Sequence, residues 1–166
     1  MSAKQLFEQG RVRDAQQALS EWLRGHPEDT VQRTFLFELL CFSGDWERAE
    51  RQLDVLRSAA GPRELGGILY FSAVYAERTR HATFAGAARP EMPATKNLCG
   101  ALNGRQFRSI TDADSAIVAR LEIFAAGSYL LLAFEHIESI RMAAPTKLRD
   151  TLWLSLIHIS EPTRRS

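Results

Sequence analysis

Asp112-Ala113-Asp114, with Glu122 eight residues on, is where residue type and spacing come nearest to a reaction centre. Two carboxylates one residue apart resemble the Asp-x-Asp of metal-dependent transferases, where they share a divalent cation that takes several oxygen ligands. The pattern is short and unspecific, and Asp at a helix start is routinely a cap. A metal-dependent enzyme or sensor using Asp112 and Asp114 is one reading, and capping the plainer one. His26, His81 and His136 stand far apart, none beside a Cys or a nucleophile motif. Cys41 and Cys99 are too few for a disulfide framework and too isolated for a zinc site. No Gly-x-Ser-x-Gly elbow, phosphate-cradling glycine loop or His-Glu-x-x-His occurs. The sequence therefore predicts no catalytic residue, no metal and no cofactor.

The elements that would hold any site come from a chain of 166 residues, 45% apolar and 25% charged. That is the balance of a soluble globular protein, with too much apolar surface for disorder throughout. Lys and Arg number 21 against 20 Asp and Glu, a net charge of +1. No global basic field is available to hold nucleic acid or an anionic membrane. The apolar runs Gly66–Ala76 and Tyr129–Phe134 are too short to span a bilayer, so no membrane insertion is expected. The opening Met-Ser-Ala-Lys-Gln-Leu-Phe-Glu lacks the regions of a signal peptide. A cytoplasmic, reduced protein is expected.

Residues 154–166 stand apart. Leu154–Arg164, Leu-Ser-Leu-Ile-His-Ile-Ser-Glu-Pro-Thr-Arg, resembles the translation of a transposase adapter used in sequencing libraries. The segment is expected to be foreign, which removes His158 as a ligand or base. Without it, basic and acidic residues are equal in number.

The N-terminal half repeats. Gln9-Gly10-Arg11-Val12-Arg13-Asp14-Ala15 aligns with Ser43-Gly44-Asp45-Trp46-Glu47-Arg48-Ala49 at an offset of 34, kept also by Leu6/Leu40 and Leu19/Leu53. Thirty-four is the tetratricopeptide period, one helix–turn–helix unit per repeat. Gly10 and Gly44 sit where one helix stops and the next begins, and Ala15 and Ala49 are small enough for close helix approach. Leu19, Trp22 and Leu23 supply an apolar stripe. Pro27 ends that helix, and Glu28-Asp29-Thr30 starts the next with acid at its positive end.

The helix Thr30–Ser43 carries Val31, Phe35, Leu39 and Phe42 on one face, with Leu36 and Leu40 beside them. Phe37 and Cys41, next to Thr34, form a second apolar strip. Either neighbouring helices cover everything, or part of it lines a groove for a partner helix. Further helices are expected over about Trp46–Ala59 and Glu64–Phe84, the latter with Leu65, Ile68, Leu69, Phe71, Ala73 and Tyr75 in apolar contact. Arg78, Arg80 and His81 suit its negative end, as a solvated face or an anion site.

Residues 85–104, rich in Gly and Pro, read as a linker between domains 1–84 and 105–153. Beyond it Gln106–Ile110 is a short alternating strand and Asp112–Ala126 a helix on the spacing of Ile117, Val118, Leu121 and Phe124. Gly127 ends that helix. Tyr129–Phe134 has strand length, and Glu135–Met142 alternates. The class is α+β: helical hairpins, then a small α+β unit.

Asn103-Gly104-Arg105-Gln106-Phe107, Asp112-Ala113-Asp114-Ser115, Gly127-Ser128-Tyr129, Phe134-Glu135-His136-Ile137 and Leu148-Arg149-Asp150-Thr151-Leu152-Trp153 together resemble successive motifs of the ImpE/TagJ family. Phe35-Leu36-Phe37-Glu38-Leu39-Leu40-Cys41 and Gly44-Asp45-Trp46-Glu47-Arg48-Ala49 match its helical half. The resemblance implies a tetratricopeptide-like helical domain followed by a barrel-like α+β domain, here incomplete. It implies a non-enzymatic accessory protein of bacterial type VI secretion. It further implies an adaptor that binds a helix of the small contractile-sheath subunit and associates with the AAA+ ATPase that recycles the sheath. Asp112, Asp114, Ser115, Arg149, Asp150 and Trp153 are motif residues to which no role attaches. Ala116, Val118 and Ala119 stand where the family carries Arg and then Gly-Pro, and the family has further sequence between Phe84 and Gly104 and past Trp153. A groove at Thr34, Phe37 and Cys41 is the place expected for a partner helix. A tetratricopeptide co-chaperone is a generic alternative, though no regular basic ladder is present.

Overall fold

Two glycines with left-handed backbone set the architecture of the N-terminal half. Gly10 has φ +76° and Gly44 φ +70°, a region that L side chains rarely adopt. Each follows a helix end and closes it in the same way. Gly10 N–H donates to Phe7 O and Arg11 N–H to Leu6 O; 34 residues on, Gly44 N–H donates to Cys41 O and Asp45 N–H to Leu40 O. These paired bonds satisfy carbonyls that the helix ends leave open.

The protein is described from a computed structural model covering residues 1–60, 65–85, 98–125, 127–154 and 156–160, with backbone alone at 60, 65–71 and 157–160. Five helices come first: α1 Ala3–Glu8, α2 Val12–Gly25, α3 Thr30–Phe42, α4 Trp46–Ala60 and α5 Leu65–Phe84. Ser2 opens α1 with a reciprocal capping box to Gln5. Asp29 opens α3 by accepting from Gln32 N–H at 3.0 Å. Successive helices α1 to α4 pack as neighbours. Their core is Leu6, Ala15, Leu19, Leu23, Leu36, Phe37, Leu39, Leu40, Cys41, Ala49 and Leu53, so the offset pairs Leu6/Leu40, Ala15/Ala49 and Leu19/Leu53 are buried, while Val12 and Trp46 are half-buried.

Trp22 departs from the expected stripe. It is half exposed, stacks on His26 with centroids 3.9 Å apart, and donates Nε1–H to Asp29 at 3.0 Å. The indole thus braces the turn between α2 and α3. Along α5, Ala73 is buried as expected, but Tyr75 is exposed; the other apolar contacts expected there lie outside the described side chains.

The chain divides into two units, Met1–Tyr75 and Ala76–Ser166, so the division falls inside α5. In the second unit the strands form three separate antiparallel pairs: β1 Gly100–Leu102 with β2 Arg105–Phe107, β3 Arg120–Ala125 with β4 Ser128–Ala133, and β5 Ser139–Met142 with β6 Leu156–Ser160. Among the described residues they close no barrel. Asn103 and Gly104, at φ +50° and +81°, make the tight β1–β2 turn. β1 lies within the stretch read as a linker, of which residues 86–97 are outside the described residues.

The expected helix over Asp112–Ala126 is corrected. Residues 113–117 and 119 are turn and bend, 112 and 118 are irregular, and β3 follows. Ile117, Val118, Leu121 and Phe124 do fall at helical spacing, but Val118 takes φ +59° and interrupts any helix. Arg120–Ala125 then pairs residue for residue with Ser128–Ala133 around Gly127. The ladder satisfies the backbone across six positions, and β-branched and aromatic side chains suit it.

β6 lies in the segment whose sequence resembles an adapter. It pairs with β5 through an irregularity between Arg141 and Met142 that leaves Ile157 without an opposite residue.

Candidate functional site

The α3 strip comes first. Thr34 is half-buried, its Oγ1 donating to Thr30 O at 2.8 Å. Phe37 and Cys41 are 1% and 3% exposed. The strip is therefore core on all but its Thr34 edge, and the exposed apolar residues of α3 are Val31 and Phe42 at its two ends. Phe35 meets Phe7 edge to face at 5.9 Å.

An open cleft of about 490 Å³ lies elsewhere in the same unit. One wall is a polar face of α2, Arg13, Gln16, Gln17 and Ser20, at the spacing that puts residues on one side of a helix. The other is the α3–α4 turn with Ser43, Asp45 and Arg48. Gln16 closes its base: the buried amide donates to Leu39 O at 2.8 Å and to Ser43 Oγ at 2.7 Å. Asp45 is committed on both oxygens to Arg48, backbone N–H to Oδ1 at 3.3 Å and guanidinium to Oδ2 at 3.2 Å. Arg13 has no ion pair or hydrogen bond among the described residues.

In the second unit the Asp-x-Asp residues serve the backbone. Asp112 Oδ1 accepts from Asp114 N–H at 2.7 Å, and Asp114 Oδ1 from Ala116 N–H at 2.9 Å. They are consecutive turn caps, which the pattern admits as readily as metal ligands. Among the described residues no three His, Cys, Asp or Glu side chains gather as a metal-binding group. Ser115 beside them is exposed.

Asp150 is another backbone anchor, accepting on Oδ2 from Thr146 N–H at 2.9 Å and Lys147 N–H at 2.8 Å. Those bonds hold its carboxyl below the ordinary carboxylate value. The same side chain caps the start of the 3-10 turn Leu148–Thr151, where Arg149 O also accepts from Trp153 N–H at 3.0 Å.

Sequence reasoning missed a third grouping. Arg80, on α5, donates Nε–H to Glu122 Oε1 on β3, and Tyr129 Oη on β4 donates to the same oxygen at 2.7 Å. Glu77 adds a longer ion pair to Arg80 at 3.4 Å. Burial, then the bond to Glu122, pushes the Tyr129 hydroxyl pKa up, so it stays a neutral donor. Phe84 and Phe124 flank its ring at 6.1 and 5.8 Å. Arg80 was expected on a solvated face or an anion site; it is instead engaged with carboxylates of its own unit. The partner carboxylate is 42 residues away, so no local pattern signals it.

Comparison with known proteins adds relationship to this geometry. Residues 104–160 match the family model described as ImpE protein, a span from the β1–β2 turn through β6. Over 188 aligned residues the chain is 28% identical to the type VI secretion system accessory component TagJ of Pseudomonas aeruginosa, covering 93% of this chain and 67% of the relative. The X-ray crystal structure of protein VPA1032 from Vibrio parahaemolyticus superposes with TM-score 0.79 at 22% identity, over 98% of this chain and 74% of that one, which speaks to the fold. The fold is α+β, helical hairpins followed by small antiparallel strand pairs. Both comparisons point to the ImpE/TagJ family, one through the model match over residues 104–160 and the other through a relative 28% identical. No helix among the described residues is long and apolar enough to cross a membrane.

Proposed function

We propose that this chain is a non-enzymatic accessory adaptor of a bacterial type VI secretion system, working in the cytoplasm. In this reading it binds a helix of the small contractile-sheath subunit and associates with the AAA+ ATPase that recycles the sheath. One observation carries it: 28% identity to TagJ across 93% of the chain. Helical hairpins stacked at a 34-residue offset, in the manner of tetratricopeptide units, are a suitable scaffold, because such stacking presents rigid helix faces to partners. TagJ is itself an accessory component of the type VI secretion system.

The partner helix is proposed to meet α3 at its Thr34 edge. Phe37 and Cys41 act from behind, as the packing that fixes that edge, since they are 1% and 3% exposed. A charge at Phe37 would unfold the unit and so report nothing about binding. The informative substitution is Thr34→Arg. Calorimetric titration of the full chain with purified sheath small subunit should show binding that Thr34→Arg weakens by at least about tenfold, roughly 1.4 kcal/mol. Absence of binding to the sheath subunit and the ATPase alike would overturn the adaptor reading. Unaltered binding by Thr34→Arg would overturn the placement on α3.

A further inference from the structure

The cleft between α2 and the α3–α4 turn has an uneven charge balance that points to a ligand. Its walls carry two guanidinium groups, Arg13 and Arg48, and one carboxylate, Asp45. Both oxygens of that carboxylate are already bound to Arg48. Arg13, on the opposite wall, faces no such counterion: among the described residues it enters no ion pair or hydrogen bond. The net excess is one positive charge at the mouth of an open cavity of about 490 Å³.

We infer that this cleft is a binding site for a peptide carboxylate, either an Asp or Glu side chain or a chain terminus, on an acidic segment of a protein partner. A single excess positive charge matches a singly charged carboxylate, which a guanidinium can grip with two parallel N–H bonds. A phosphate, carrying closer to two negative charges, would leave one uncompensated here. The cavity also exceeds what one ion needs. Ser20 and Gln17 extend the α2 wall with neutral polar groups of the kind that pair with main-chain amides. The base is rigid, because Gln16 spans from α2 to Leu39 O and Ser43 Oγ in a buried position. The guanidinium of Arg48 is held in place by Asp45, so it needs little further ordering to receive a ligand. Arg13 is its counterpart on the opposite wall.

The inference goes beyond the adaptor reading, and its test uses no secretion component, so the two stand or fall separately. Fluorescence anisotropy would follow the full chain titrated into a fluorescein-labelled decapeptide of alternating Glu and Ala, in low salt. Its arms are the same peptide with an amidated C-terminus, and a Gln-for-Glu version with a free C-terminus. Binding of the amidated peptide assigns a side-chain carboxylate, and binding of only the free-ended peptides a terminal one. Arg13→Glu should weaken binding at least about tenfold, while Arg24→Glu, the same charge change at the exposed end of α2, should not. Circular dichroism should show both variants folded. Equal losses from the two variants would reduce the effect to net charge and overturn the site. So would no binding to any peptide, or inorganic pyrophosphate displacing the peptide at lower concentration than free glutarate does.

Discussion

Arg11 and Asp45 occupy the same place in two successive hairpins, 34 residues apart, and carry opposite charge. Each pairs with the residue three positions on: Arg11 Nε with Asp14 at 2.7 Å, Asp45 with Arg48 Nη1 at 3.2 Å. The repeat thus keeps the ion pair at the helix start while exchanging its poles. Both pairs are substantially exposed, so their own contribution is small. What the repeat preserves more strictly is backbone: the left-handed glycine one residue earlier.

Gly10→Ala and Gly44→Ala should therefore destabilise the first unit by similar amounts. A Cβ at Gly10 meets nothing within 4 Å, and at Gly44 only Trp46 Nε1 at an ordinary 3.9 Å. The cost in both is conformational, about 1–2 kcal/mol each. Denaturant titration followed by helix signal would measure it, and a difference larger than about 1 kcal/mol between the two variants would refute the shared cause.

Gln16→Leu tests the bond that ties α2 to the end of α3. The substitution keeps side-chain volume but strips a buried amide from Leu39 O and Ser43 Oγ. A loss of roughly 1–3 kcal/mol is expected. Arg13→Ala, on the same helix face, should change stability by less than about 0.5 kcal/mol. Thermal melts of the two variants side by side give the comparison.

Gly100 and Phe107 form a size-complementary pair across β1 and β2. A Cβ at Gly100 would lie 2.7 Å from Phe107 Cζ, so the ring must move. Gly100→Ala alone should cost on the order of 1 kcal/mol, and much less in a Phe107→Leu background. A double-mutant cycle with no coupling would show that the ring has somewhere else to go.

Tyr129 makes the second unit sensitive to alkali. Its folded pKa lies above the ordinary 10.0, so the neutral hydroxyl is the form that folding favours. Stability from this group is complete below the ordinary value and is lost as pH rises through the raised one. Urea midpoints should hold up to about pH 9.5 and fall as the pH rises past about 10, and fall less in Tyr129→Phe, which has no proton to lose there. Identical falls would locate the alkaline sensitivity elsewhere.

The helical half was legible because its signals are local. Gly10/Gly44, Ala15/Ala49 and Leu19/Leu53 state both the period and the buried face, and Asp29 caps α3 where an acid was expected. The strand half was less so. Ile117, Val118, Leu121 and Phe124 fit a helix as well as a strand, and only pairing with Ser128–Ala133 decides between them. On α3, the apolar strip of Phe37 and Cys41 could be read as groove or as core, since one helix's sequence does not say what lies over it. The bond from Arg80 to Glu122 and the meeting of Arg13 with Arg48 across one cleft depend on packing between distant segments, which no spacing rule encodes.

Each strand pairing among the described residues joins consecutive strands, and α1 to α4 pack on their neighbours in the chain. Contacts this local reward the chain soon after loop closure, the pattern of fast-folding proteins. On a ribosome the first two helical hairpins have all their helices once Ala60 has emerged. Glu122 lies 42 residues beyond Arg80, so the bond between them forms only later in synthesis. Nascent chains arrested just past Ala60 should therefore already carry a protease-resistant N-terminal body, assembled in the order of synthesis.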